Sequence, residues 1–213
     1  MIDGHPRRMR LATFNLFWFG TDRLDVISRG PDDLALVART LRGLDADIVV
    51  FQEIMDVPAL AALLETAGAP LGRQWSVVDN TGRELKSASW MKVVLAYDRA
   101  VLRVTGLQRL EGGPTGTRSL AVRLEHRATG QVCVVVGLHL KSPKGLGQPL
   151  GAGPSKKRLG ACRRLATWLQ GPAGVHDGEL TGPGDVPVIV LGDLNELPDH
   201  GSLAPLREGP MAD

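Results

Sequence analysis

The sequence predicts an α/β fold, and three observations carry the prediction. Short apolar runs rich in Val and Ile recur along the chain, and each stops at a polar residue, as strands buried on both faces do. Stretches with helical spacing of apolar residues lie between these runs. The chain has 213 residues, of which 43% are hydrophobic and 23% charged. That balance supplies a core and excludes a disordered tail, and the length has room for one domain, residues 1–213.

The first apolar run, Leu11-Ala12-Thr13-Phe14, stops at Asn15. A helix follows from Pro31-Asp32-Asp33, because proline suits the first turn and carboxylates favour the positive end of the helix dipole. Its inward stripe is Leu34, Val37, Leu41 and Leu44. The second run, Ile48-Val49-Val50-Phe51, stops at Gln52-Glu53. Asp56 is placed to cap a second helix that opens at Pro58 and turns Leu60, Leu63, Leu64 and Ala67 inward. Less apolar strands are predicted over 74–78, 92–98, 101–109 and 118–125, with Ala128-Thr129-Gly130 in a hairpin connection. The run 132–138 stops at His139, and Val188-Ile189-Val190-Leu191 stops at Gly192-Asp193-Leu194-Asn195. Between them Ser155 is expected to cap a third helix, with Leu159, Cys162, Leu165, Ala166 and Leu169 inward. The Gly-rich stretches 145–154 and 171–184 are expected to be loops.

Charge adds a second layer. The 25 Lys+Arg against 23 Asp+Glu give a net +2, which selects no partner. The distribution is uneven, however. Between Glu125 and Asp177 there is no carboxylate, while Lys141, Lys144, Lys156, Lys157, Arg158, Arg163 and Arg164 fall in that stretch. It reads either as a solvated helix face or as a positive wall for a phosphate-bearing partner. Lys156 to Arg158 would sit in the first turn of the third helix, where the dipole disfavours cations. Aromatic residues are only 4% of the chain, and no aromatic cluster suggests base stacking. Cys133 and Cys162 lie in apolar segments with no CxxC, which points to small buried thiols. No segment is long and apolar enough to span a membrane, no signal peptide is read, and the cytoplasm is left as the default. Oligomeric state is not legible.

Strand ends are where α/β proteins collect ligands. Here they supply Asn15, Glu53, His139 and the Asp193/Asn195 pair, which are two carboxylates, two carboxamides and an imidazole. Each taken alone reads as a turn residue. Together, the oxygens suit a hard cation such as Mg²⁺, the amides can donate to phosphate oxygens, and the imidazole can move a proton near neutral pH.

Asn15 in LATFNL, Glu53 in DIVVFQE, His139 in VVVGLHLKS and Asp193 with Asn195 in VIVLGDLNELPD resemble, in order and spacing, the motifs of the endonuclease/exonuclease/phosphatase superfamily. The resemblance runs from about residue 10 to the chain end. It implies the deoxyribonuclease-I-like fold, with two mixed β-sheets packed face to face and helices flanking them in a four-layer sandwich. It implies Mg²⁺-dependent hydrolysis of a phosphodiester, with nucleic acid the first choice of substrate and Mn²⁺ or Ca²⁺ as substitute ions. A phosphatase or phosphodiesterase on a phospholipid or inositol head group, and a catalytically dead phosphate-binding remnant, are the alternatives. By the same resemblance, Asn15 and Glu53 would hold the metal and His139 would contact the scissile phosphate. Asp193 would position or deprotonate the water, Asn195 would hold a phosphate oxygen, and Arg118 in GTRSLAVRLE would face the phosphate. Ser119 stands where relatives usually carry proline after that arginine. The family also ends in a Ser-Asp-His motif that these 213 residues do not contain, so the second sheet is expected to be incomplete, the domain truncated at its C-terminal side, and hydrolysis by these residues alone slow.

Overall fold

The computed structural model describes residues 9–20, 29–79, 91–109, 118–142, 152–172, 174–176 and 179–208. Two mixed sheets pack face to face between helices, as expected. The first sheet holds β1 (Leu11–Phe19), β2 (Ile48–Ile54), β3 (Trp75–Asp79) and β4 (Lys92–Asp98) in the order β1-β2-β4-β3. The second holds β5 (Leu102–Arg109), β6 (Arg118–His126), β7 (Val132–His139), β8 (Gly174–His176), β9 (Glu179–Gly182) and β10 (Val188–Asp193) in the order β10-β7-β6-β5-β9-β8. The parallel pairs are β1 with β2, β7 with β10 and β5 with β9, and the other pairings are antiparallel.

The period of two along β2 sorts its side chains into two cores. Val49 and Phe51 join Val94 and Ala96 under helices α1 (Pro31–Leu44) and α2 (Val57–Gly68), against Val37, Leu41, Leu60 and Leu64. Ile48 and Val50 face the other way and meet Leu120, Val122 and Val135 between the sheets. Helix α3 (Ala152–Leu169) covers the outer face of the second sheet, with Leu165 and Trp168 on Val134, Val136 and Leu138. The sheets approach closely at Gly137, where a Cβ would lie 2.8 Å from Val50 Cγ1.

The two predicted N-terminal signals hold. The Asp33 side chain accepts from the Gly30 N–H at 3.2 Å, and Asp56 caps α2 by accepting from the Ala59 N–H at 2.9 Å. Leu44 stays at the surface instead of joining the stripe of α1. Three expectations need correction. Helix α3 starts at Ala152, a turn before Ser155, because Pro154 then falls in the first turn, where its missing N–H costs nothing. Lys156 to Arg158 therefore lie past the first turn. The stretch 171–184 contains β8 and β9, which lack an apolar run and join the sheet through backbone pairing beyond β5. Finally, β1 and β10 are edge strands rather than strands buried on both faces, and most of their residues are only half-buried. Most of the loop expected at 145–154, with Lys144, lies outside the described residues.

At the end of the first sheet where β1 and β2 begin, Arg73 is buried with Asp45, Asp47 and Asp98 around its guanidinium, the Asp47 contact at 2.9 Å. Burial alone would lower its pKa, but hydrogen bonds and charge from Asp45 and Asp47 raise it. The network pins the start of β2 and lies at the opposite end of these strands from Asn15 and Glu53.

Candidate active site

Four strands deliver side chains to one crevice, two from each sheet. Asn15 lies on β1 opposite Gln52, and Glu53 follows on β2. His139 and Asp193 close β7 and β10 as direct register partners. On the other flank of β7, Arg118 begins β6 in register with His139, so the three positions form a row across the second sheet.

The Asn15 amide joins the two sheets. Its Nδ2 donates to Glu53 Oε1 at 3.1 Å and to Asp193 Oδ2 at 2.9 Å. Asp193 is held from its other side as well, because Oδ1 accepts the Asn195 backbone N–H at 2.9 Å. The Asn195 side chain turns back, with Nδ2 on the Leu140 carbonyl at 2.9 Å, and one amide proton is left for another acceptor. His139 is buried, and its Nε2 stands 3.5 Å from Glu53 Oε1 and 4.0 Å from Asp193 Oδ2. The sequence-predicted residues Asn15, Glu53, His139, Asp193 and Asn195 thus converge, and Arg118 is brought alongside through its backbone.

The backbone of the site carries strain. Glu53 has φ +61° and Asn195 has φ +50°. Asparagine tolerates the left-handed region, but a glutamate inside a strand does so rarely, and such outliers gather where the fold over-determines them. At Glu53 the ladder between β2 and β4 shifts register between Phe51 and Ile54. Gly192 has φ +143°, and a Cβ there would stand 2.0 Å from the Leu138 carbonyl oxygen, so only glycine fits before Asp193.

A cation would find a suitable anchor here. Glu53 Oε2 is buried and has no hydrogen-bond partner among the described residues. An orphaned carboxylate oxygen in a buried place is costly unless something positive satisfies it. Among the described residues no group of three or more His, Cys, Asp or Glu side chains forms a cage. Mg²⁺, which keeps several waters, needs only one or two protein carboxylates.

Two supports were not read from the sequence. Buried Gln52 ties Thr13 to the Val50 carbonyl, donating from Nε2 to Thr13 Oγ1 at 2.9 Å and to Val50 O at 3.1 Å, which locks β1 and β2 just behind the site. Arg158, expected on either a solvated face or a positive wall, is instead buried. Its Nε donates to Glu196 Oε2 at 3.0 Å and its Nη1 to the Lys141 carbonyl at 2.8 Å. Burial would raise the Glu196 pKa, but the Arg158 hydrogen bond, the Leu197 N–H and the charges of Arg158 and His200 outweigh it and hold the carboxyl below its usual range. The signal was available: Arg158, Cys162 and Leu165 share one helical stripe. Lys141, Lys156, Lys157 and Arg163 are exposed. No helix among the described residues is long and apolar enough to cross a membrane.

Comparison with known proteins finds the same fold in solved structures. The human Nocturnin catalytic domain with bound sulfate superposes with a TM-score of 0.57 at 17% identity, over 84% of this chain and 62% of that one. D. rerio TDP2 complexed with a single-strand DNA product gives 0.61 at 14%, over 96% and 66%. A mannosyl-6-phosphatase from Bacteroides thetaiotaomicron gives 0.58 at 14%, over 94% and 70%. The chain thus spans less than two thirds of the first two structures. No curated protein sequence matches it significantly. The sequence pattern of the Endonuclease/Exonuclease/phosphatase family covers residues 12–212 and takes in the whole converging set. With fold, strand-end residues and sequence pattern in accord, the chain belongs to the endonuclease/exonuclease/phosphatase family.

Proposed function

We propose that this protein is a Mg²⁺-dependent phosphodiester hydrolase acting on nucleic acid. The observation that carries the reading is the Asn15 amide holding Glu53 and Asp193 together across the two sheets while Glu53 Oε2 stays buried without a partner among the described residues. Glu53, with Asn15 beside it, would hold the ion, Mn²⁺ or Ca²⁺ being possible substitutes. When bound, the ion neutralises charge on the phosphate and on the leaving oxygen. Asp193, fixed at both oxygens, orients the attacking water and accepts its proton at whichever oxygen faces it. His139 Nε2 faces the same space and donates to a phosphate oxygen as charge develops there. Asn195 holds Asp193 through its backbone N–H and keeps one amide proton for a phosphate oxygen, and Arg118, whose backbone is in register with His139, is the candidate for a further phosphate contact. The exposed cations Lys141, Lys156, Lys157 and Arg163 suit a long polyanion such as a nucleic acid. The TDP2 structure, with its DNA product, supports the same choice.

The test is release of p-nitrophenolate from bis(p-nitrophenyl) phosphate, together with nicking of plasmid DNA, by the 213-residue chain. Slow turnover is expected, dependent on Mg²⁺ and lowered about 10²-fold or more by His139→Ala and by Asp193→Ala. Turnover indifferent to chelation and to both substitutions would refute the reading.

A further inference from the structure

We propose that Phe17 is a stacking platform for a nucleobase attached to the phosphate in this site, so that the ligand is a nucleotide unit and not a bare sugar phosphate; this rests on the hydrolase reading above. Contrary to the expectation from the low aromatic content, four of the nine aromatic residues of the chain cluster within residues 14–19. Phe19 is buried and Phe14 packs on the helix-covered core. Phe17 is 55% exposed. A lone exposed apolar ring needs no explanation by itself. Its backbone and its partner do.

Phe17 has φ +42° and Trp18 φ +60°, conformations that suit Gly or Asn and are outliers for bulky residues. The turn is held from several sides. The Phe17 N–H donates to Asn15 Oδ1 at 2.9 Å, and the Arg29 guanidinium donates to the carbonyls of Leu16 and Phe17. The Phe19 carbonyl accepts from the Met55 N–H at 2.8 Å. Gly20, at φ +84°, packs so closely on Asp56 that a Cβ would lie 2.3 Å from the Asp56 Cβ. A single side chain, Asn15, therefore fixes Phe17 through Oδ1 and both carboxylates through Nδ2. The turn that carries the ring is tied to the same amide that holds the carboxylates, and the ring is left open to solvent. Every nucleobase offers a π-face to such a ring, so it favours a base without choosing among sequences.

The experiment is calorimetric titration of the 213-residue chain, in Mg²⁺, with thymidine 5′-monophosphate and with deoxyribose 5-phosphate. The unmodified chain should bind the base-bearing ligand about 5-fold tighter or more, the lower end of what one stacked base contributes. Phe17→Ala and Phe17→Gly should both erase the difference, the glycine variant relaxing the positive φ so that strain is not the cause. Phe17→Trp should keep it, and circular dichroism should show all variants folded. Equal affinities in the unmodified chain, absence of binding by both ligands included, would overturn the proposal, as would a preference that survives in the Ala and Gly variants. Neither outcome touches the hydrolase reading, which stands or falls on turnover sensitive to Asp193→Ala.

Discussion

Glu53 and Asp193 share one hydrogen-bond donor, the Asn15 amide nitrogen, although they stand on different sheets. Two carboxylates placed so near one another repel unless something positive lies between them, and a single neutral amide group offsets only part of that. His139 Nε2, 3.5 Å from Glu53 and 4.0 Å from Asp193, lies beside both, and on the metal-dependent reading a divalent cation would relieve what repulsion remains.

The first prediction follows directly. In chelator, Glu53→Gln should be at least as stable as the unmodified chain, because it removes a buried charge whose Oε2 lacks a partner among the described residues. Added Mg²⁺ at about 100 times its dissociation constant should stabilise the unmodified chain by about 2.7 kcal/mol and leave Glu53→Gln nearly unmoved. Thermal melts with and without Mg²⁺ read both effects. A variant stabilised by Mg²⁺ as strongly as the parent would remove Glu53 from the metal site.

Gly192 supplies a second. Gly192→Ala should cost about 3 kcal/mol or more, since its Cβ meets the Leu138 carbonyl at 2.0 Å and φ is +143°. Gly130 is the matched control. It has φ +70° in the hairpin turn after β6, with nothing within 4 Å of a Cβ, so Gly130→Ala should cost only about 1–2 kcal/mol. Urea denaturation of the two variants should separate them clearly, and equal losses would mean that the close approach of β10 to β7 is not tight.

The strands and the two caps were legible because local chemistry fixes them. An apolar run ending at a polar residue reads the same in sequence and in space, and so does Asp56 three residues before the N–H it caps. The convergence of Asn15, Glu53, His139 and Asp193 was legible because strand ends in a twisted sheet open toward one crevice. Other features depend on long-range partners. Arg158 looks like any surface cation until Glu196, 38 residues later, is placed against it. Phe17 has no role in the sequence pattern, and only its positive φ and its N–H on Asn15 Oδ1 set it apart. The strands β8 and β9 owe their existence to a neighbour, not to their own composition.

The Arg158–Glu196 pair gives a pH prediction with a definite sign. The Glu196 carboxyl is held below its ordinary value of 4.5 in the folded protein, so its contribution is fully present above about pH 4.5 and fades as pH falls through the lower folded value. Glu196→Gln leaves buried Arg158 without its counter-charge and should cost about 1–3 kcal/mol at pH 7. That cost should shrink as the medium is acidified, the two stability curves converging on the acid side. Denaturation series between about pH 3 and pH 7 would show this, and a constant gap would mean that the carboxyl does not titrate with the fold.

The cations of α3 divide once the structure is known, and the division is testable. Arg158 is buried and committed to Glu196, while Arg164 is half-buried. Lys156, Lys157 and Arg163 are exposed and cost nothing to redirect. If a strand of DNA runs past this helix, each lysine that neutralises a phosphate releases condensed counterion, by about 0.7 per contact for a single strand. The double variant Lys156→Ala/Lys157→Ala should therefore weaken single-strand DNA binding in the same proportion for every sequence and flatten the plot of log affinity against log salt by up to about 1.4. Stability should hardly move, because exposed lysines contribute little to it. Fluorescence anisotropy with a labelled oligonucleotide, measured at several salt concentrations, gives the slope. An unchanged slope would return both lysines to a solvated face and place the path of the strand elsewhere on the molecule.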